Sequence, residues 1–204
     1  KMGAIDTTHL FGLDELIIYS FYYGNRGRYR RTADLGANLG LHSLVMAKLG
    51  MHVECYEPDP VHFDLLCENL KENSLSDRVV AHKAAVSSES GTMEFVRVLG
   101  NTTSSHLAGA KSNAYGELER FPVTVVSIKE VMRNIDFLKM DVEGQEAKIV
   151  SATDAVNWAN CEMMLEIGSV ENARVIFDHT RKLGLKIFAQ KLAWNEVSSV
   201  KDMP

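Results

Sequence analysis

Asp34-Leu35-Gly36-Ala37-Asn38-Leu39-Gly40 closes a short β-prone run and opens a helical one. A glycine-rich turn between strand and helix is the setting in which α/β proteins hold nucleotides. Gly36 lets the chain reverse without a Cβ clash. Backbone N–H groups at the start of the following helix are available to a ligand's polar atoms, and Gly40 permits close packing of helix against strand. Outward from the turn, residues 32–35 read as a strand. Residues 41–49 read as a helix, with Leu41, Leu44, Val45 and Leu49 on one face and Gly50 where a helix-ending glycine belongs. A strand at 52–56, a helix at 60–72 with Pro60 in its first turn, and a strand at 79–83 follow. Residues 84–120 interrupt the rhythm with an extended piece at 91–99 and a polar loop at 100–119. Extended segments at 123–128, 135–140 and 161–167 then alternate with helices at 129–132, 144–151 and 170–183, and strands at 185–189 and 193–197 pair at the end. Strands interleaved with helices imply an α/β fold with a mostly parallel sheet covered on both faces.

Residues 1–31 form a leading helical segment, and 32–204 a single domain. Leu13, Leu16, Ile17 and Phe21 recur at helical spacing in the leading segment. Arg26, Arg28, Arg30 and Arg31 make the turn after it basic, as a solvated loop or as a rim that draws in an anionic substrate.

Glu57 ends the second strand, 21 residues after Gly36. An acid at that distance is placed to accept hydrogen bonds from ribose hydroxyls. The turn spacing is GxxxG, with Asn38 where a dinucleotide turn has its middle glycine. Asp34 before the turn repels a pyrophosphate but suits a cationic ligand. Both features disfavour NAD and favour a cofactor without phosphate, S-adenosylmethionine, with Asp34 facing its cationic end and Glu57 its ribose. Ala85, after the third strand, is expected beside the adenine through backbone contacts.

Composition narrows the remaining classes. The 204 residues carry a net charge of −5, 46% apolar and 24% charged residues, which fits a soluble globular domain. A global basic field for nucleic acid is absent. No apolar run is long enough to span a bilayer, and residues 1–31 lack the layout of a secretory signal, so a cytoplasmic location is expected. Cys55, Cys67 and Cys161 are odd in number and form no CxxC pair, which points to reduced, buried thiols.

Three segments in order, Asp34 to Gly40, Tyr56-Glu57-Pro58-Asp59-Pro60, and Phe137-Leu138-Lys139-Met140-Asp141-Val142-Glu143-Gly144-Gln145-Glu146, resemble the FkbM family of methyltransferases, over roughly residues 32–167. The resemblance implies a Rossmann-like class I methyltransferase fold with a seven-stranded sheet. It also implies S-adenosylmethionine as cofactor, held around Asp34, Gly36, Ala37, Asn38, Gly40, Glu57, Pro58, Ala85 and Asp141. The reaction implied is transfer of a methyl to a hydroxyl of a small molecule or glycan.

Such a transfer needs the acceptor oxygen placed and its proton removed. Asp141, at the end of a central strand, is the leading candidate for base or orienting group. Glu143 stands at the start of the next helix, as a cap or a site residue. Lys139 shares the strand face of Asp141 and reads as counter-ion to a carboxylate. His106, in the polar loop with Ser104 and Ser105, is an alternative base. A divalent metal between Asp141 and Glu166 is a further route, ranked below a metal-free site. An NAD-dependent oxidoreductase and a nucleic-acid methyltransferase are the alternatives. The first is opposed by Asn38, the second by the charge balance and the lack of prolines around Asp141.

Overall fold

The computed structural model describes residues 12–99, 105–110 and 117–203. In chain order the elements are α1 (Leu13–Asn25), β1 (Arg31–Leu35), α2 (Leu41–Lys48), β2 (His52–Tyr56), α3 (Pro60–Glu72) and β3 (Val79–His82). Next come β4 (Ala85–Ser87), β5 (Gly91–Val98), β6 (His106–Leu107) and β7 (Leu118–Ser127). The chain continues through α4 (Ile128–Val131), β8 (Phe137–Met140), α5 (Glu146–Ser151), β9 (Glu162–Leu165), α6 (Val170–Lys182), β10 (Phe188–Ala189) and β11 (Asn195–Glu196).

The central sheet has five strands in the order β3-β2-β1-β8-β9, all parallel. Strand alternation splits its side chains between two apolar layers. Ala33, Leu35, Leu138 and Met140 pack with Ile149 and Ile176 from α5 and α6. Phe137 packs on the other face with Tyr22, Met46 and Leu66 from α1, α2 and α3. The chain runs outward from β1 to β3, then returns to β8 on the other side of β1. The strand order therefore reverses between β1 and β8, and the crevice beyond their carboxyl ends is where such sheets bind ligands.

The expected seven-stranded sheet is not present as one ladder among the described residues. Five strands form the parallel sheet, and β10 pairs only with β11 in an antiparallel ribbon. Residues 185–187, expected to extend β10, are not strand, and Ala193 and Trp194 turn the ribbon with positive φ. Strands β4, β5, β6 and β7 build a second sheet of their own, in the order β4-β7-β5-β6. β5 and β7 pair antiparallel over eight positions, from Gly91 opposite Val125 to Val98 opposite Leu118, and Phe95, Leu107, Val123 and Val125 make its separate core. Period-two patterning locates strands without naming their partners, which is why the two sheets read as one.

Candidate active site

The glycine turn is stitched to the next strand. Gly36 and Ala37 both donate their N–H to the Tyr56 carbonyl, at 3.1 and 3.0 Å. Asn38, at φ +52°, donates its N–H to Glu57 Oε2 at 2.8 Å. Gly40 donates to Ala37 O at 2.8 Å and caps α2 in the left-handed region. These N–H groups are thus spent inside the protein, although a ligand contact was expected of them. The close packing expected of Gly40 is made with α3: a Cβ there would stand 3.1 Å from Leu66 Cγ. Gly36 has the stronger constraint, since its Cβ would lie 1.8 Å from the carbonyl oxygen of Asp141. The turn after β1 and the turn after β8 are in backbone contact.

Glu57 is 5% exposed. Oε1 accepts the Asp59 N–H and Oε2 that of Asn38, both at 2.8 Å. Burial raises its pKa to about 7, against the lowering effect of those two hydrogen bonds. Pro58 is half-buried beside it. Asp59 caps α3 by accepting from Val61 and His62, with Pro60 in the first turn. Its fully buried carboxylate is also gripped by Arg97 of β5, Nε to Oδ2 and Nη2 to Oδ1 at 2.6 Å each. Burial opposes charge on Asp59, yet Arg97 and the helix N–H groups leave its pKa below the ordinary carboxylate value. Arg97 was not anticipated from sequence, because only tertiary pairing brings β5 to the end of β2.

Asp34 and Lys139 are register partners on β1 and β8 and sit on the same face. Asp34 is completely buried: Oδ2 accepts from Ser43 Oγ at 2.6 Å, and Oδ1 lies 3.6 Å from Lys139 Nζ. Direct contact between Asp34 and a cationic ligand was expected. The structure turns its carboxylate to Ser43 and Lys139 instead. Lys139 Nζ also lies 3.8 Å from Asp141 Oδ2. Burial disfavours the charged amine, but Asp34 and Asp141 outweigh it and raise the Lys139 pKa.

Asp141 follows β8, its N–H donating to Leu35 O at 3.0 Å and its side chain 37% exposed. Glu166 follows β9, its N–H donating to Met140 O. The Asp141 charge, then burial and Glu143, raise the Glu166 pKa. Among the described residues no group of three His, Cys, Asp or Glu side chains is placed to hold a metal ion.

Glu143 is not the first residue of a helix. It and Gly144 take φ +56° and +102°, and α5 starts at Glu146. The carboxylate that organises this turn is Glu146, only 3% exposed. Its Oε1 accepts the N–H groups of Val142 and Gly144, and its Oε2 accepts from Asn172. His106 is not in an open polar loop: it lies on β6 opposite Val96, 3% exposed. Ser105 Oγ accepts the Val98 N–H, and Ser104 lies outside the described residues. Just beyond β6, the Ala110 carbonyl would be 2.9 Å from a Cβ on Gly144, so the second sheet reaches the Asp141 turn by its backbone. Ala85 turns its side chain into the core of the second sheet, leaving only its backbone for the adenine contact expected of it. The basic turn lies elsewhere. Arg31 opens β1 and Arg28 pairs with Glu162 at the start of β9, so these arginines line the amino edge of the sheet and not the rim of the crevice.

Comparison with known proteins agrees with this arrangement. Residues 34–184 match the family described as the methyltransferase FkbM domain. "Methyltransferase sdnD" of Sordaria araneosa is 30% identical, over 61% of each chain, so the match spans under two thirds of that protein's length. The crystal structure of precorrin-6y C5,15-methyltransferase from Geobacter metallireducens superposes with a TM-score of 0.51 at 12% identity, over 92% of this chain and 78% of that one. At that identity the likeness speaks for the Rossmann-like α/β fold alone.

Proposed function

The chain belongs to the methyltransferase FkbM domain family, and on that premise we propose that it is an S-adenosylmethionine-dependent methyltransferase acting on a hydroxyl of a small molecule or sugar. One observation carries the reading: the Gly36 turn, the Glu57 carboxylate and Asp141 meet where the strand order reverses. The residues there fit this cofactor. Each Glu57 oxygen takes one backbone N–H, which leaves lone pairs for two ribose hydroxyls. The neighbouring acids Asp141 and Glu166 suit a group without phosphate. When bound, S-adenosylmethionine supplies an electrophilic sulfonium methyl.

The chain's own residues hold and prepare the partners. Gly36, Ala37, Asn38 and Gly40 shape the cradle, and Pro58 fixes the step between Glu57 and the α3 cap. Backbone groups at Ala85 flank the adenine. Asp141, partly exposed at the crevice, orients the acceptor hydroxyl and accepts its proton. Lys139, 3.8 Å away, holds Asp141 on station. The Glu143 turn, tied down by Glu146, shapes the acceptor side. Calorimetry with S-adenosylmethionine and S-adenosylhomocysteine tests the reading, and no binding of either at about millimolar concentration would sink it. Asp141→Asn is expected to lower transfer to an identified acceptor by roughly 10²- to 10⁴-fold at saturating S-adenosylmethionine. Full activity in that variant would remove Asp141 from the chemistry.

Glu57 gives a pH signature. Its pKa of about 7 in the folded state stands above the ordinary 4.5. The proton is therefore held more tightly in the folded chain. The stabilisation is complete below pH 4.5 and is lost as pH rises through about 7. The loss is about 3 kcal/mol. Glu57→Gln should remove this slope in urea unfolding between those limits. Ribose hydroxyls donate to the ionised carboxylate, so affinity for S-adenosylhomocysteine should rise with pH through 7 in the parent protein and stay flat in E57Q. Parallel pH profiles for the two proteins would exclude Glu57 as the ribose acceptor.

A further inference from the structure

The amino edge of the parallel sheet carries a groove of about 770 Å³, within the range of small-ligand sites. Arg31 at the start of β1, Asp136 just before β8 and Cys161 just before β9 all line it. It therefore lies at the opposite ends of the strands that lead to Gly36 and Asp141, roughly 13 Å of β1 away. Nothing in the methyl-transfer reading uses this face.

The lining has two chemical characters. Buried Ile135, Met132 and Cys161 give it an apolar floor. Arg31 and Arg133 stand at its walls, both exposed, and neither makes an ion pair among the described residues. Lys129 also lines the groove but is committed to Asp154 at 2.5 Å. Asp136, the one carboxylate among the described lining residues, accepts the N–H groups of Arg30 and Arg31 on Oδ2 at 2.9 and 3.0 Å, so one of its oxygens is turned to the backbone. Asn157 spends its carbonyl oxygen on the Asp154 N–H, which leaves its amide donors for a ligand, and Asn160 adds another carboxamide. On a chain of net charge −5, this face concentrates cations and donors over an apolar bed.

We infer that the groove is a second ligand site, for a small organic phosphate: an apolar body on the floor and a phosphoryl group between the Arg31 and Arg133 guanidiniums. Planar guanidiniums match phosphate oxygens with paired hydrogen bonds, and the apolar floor takes up the organic body. This gives Arg31 a role at the far edge of the sheet in place of one at the crevice.

Phenyl phosphate is a suitable probe because it lacks the ribose and adenine that the crevice would recognise. At low salt, amide resonances of Arg31, Arg133, Asn157 and Asn160 should shift saturably, with a dissociation constant of about 1 mM or tighter. Those of Gly36 and Glu57 should not shift. Phenol should fail to bind, and inorganic phosphate should bind at least about tenfold more weakly than phenyl phosphate. Arg133→Glu, a change at an exposed position, should weaken binding at least about tenfold with an unchanged circular dichroism spectrum. Arg31→Gln repeats the test from the other wall. No saturable binding, shifts confined to the crevice, equal binding of phenol, or full affinity in both arginine variants would overturn the site. Equal binding of inorganic phosphate would overturn its organic character.

Discussion

Gly36→Ala is expected to cost at least about 3 kcal/mol of stability and to weaken cofactor binding by at least about a hundredfold. The added Cβ would sit 1.8 Å from the Asp141 carbonyl oxygen and 3.0 Å from its carbon, while the backbone holds φ at +75°. Two penalties combine: a left-handed conformation that alanine adopts poorly, and an overlap with backbone instead of a movable side chain. The Asp141 peptide cannot swing aside cheaply. The Asp141 N–H is bonded to Leu35 O, and the Val142 N–H on the far side of the same carbonyl is held by Glu146 Oε1 at 3.2 Å. Relief of the clash therefore pulls apart the junction of β1 and β8, from which the site is built.

Gly50→Ala is the matched control. Gly50 has φ +96° and nothing within 4 Å of its Cβ position, so it isolates the conformational penalty, about 1 kcal/mol. Urea unfolding of both variants, with S-adenosylhomocysteine titrated into each, separates the two contributions. Equal destabilisation by the two substitutions would mean that the contact between the turns is not tight in solution.

What the sequence made legible was local. The Asp34 to Gly40 turn, the Glu57 step and the Asp141 segment each announce themselves within a few residues, because turn chemistry and strand patterning are short-range properties. Pairing across the sheet was not legible. Asp34 and Lys139 are 105 positions apart, and only the β1–β8 register sets them side by side. A counter-ion role for Lys139 was readable from the cost of a charge in an apolar strand. Asp141, on the same strand face, is readable as one partner; Asp34, on another strand, is not. Residues 84–120 break the alternation in sequence, but only the pairing of β5 with β7 and with β6 sets a second sheet apart, with His106 opposite Val96 and Arg97 carried to Asp59. Glu146 was visible only as part of a motif, since its use depends on positive φ at Glu143 and Gly144, which sequence does not announce for a glutamate.

The second large effect is expected at Lys139. Lys139→Met should destabilise the protein by about 3–5 kcal/mol near neutral pH, because it strands the Asp34 carboxylate in a site of zero exposure. Ser43 Oγ still donates to Oδ2, but one hydroxyl cannot replace the ammonium 3.6 Å from Oδ1. Asp34→Asn should be milder, since Lys139 keeps Asp141 at 3.8 Å and the amide oxygen keeps the Ser43 bond. The double variant D34N/K139M then decides the mechanism. If the loss in K139M is an uncompensated charge, removing the acid as well should restore most of it, leaving a coupling energy of at least about 1.5 kcal/mol in a double-mutant cycle. If the loss is packing of the lysine stem, the two effects will simply add. The pH dependence separates the same possibilities. In the parent protein the Lys139 pKa is raised, so its contribution is fully present below its ordinary value of 10.5 and is lost only as pH climbs through the higher folded value. Between pH 5 and 9 that contribution is constant. K139M lacks that contribution, so its deficit against the parent, measured by urea midpoints, should be constant between pH 5 and 9 and shrink as pH climbs above 10.5. A deficit unchanged above pH 10.5 would point to the lysine stem and not to its charge.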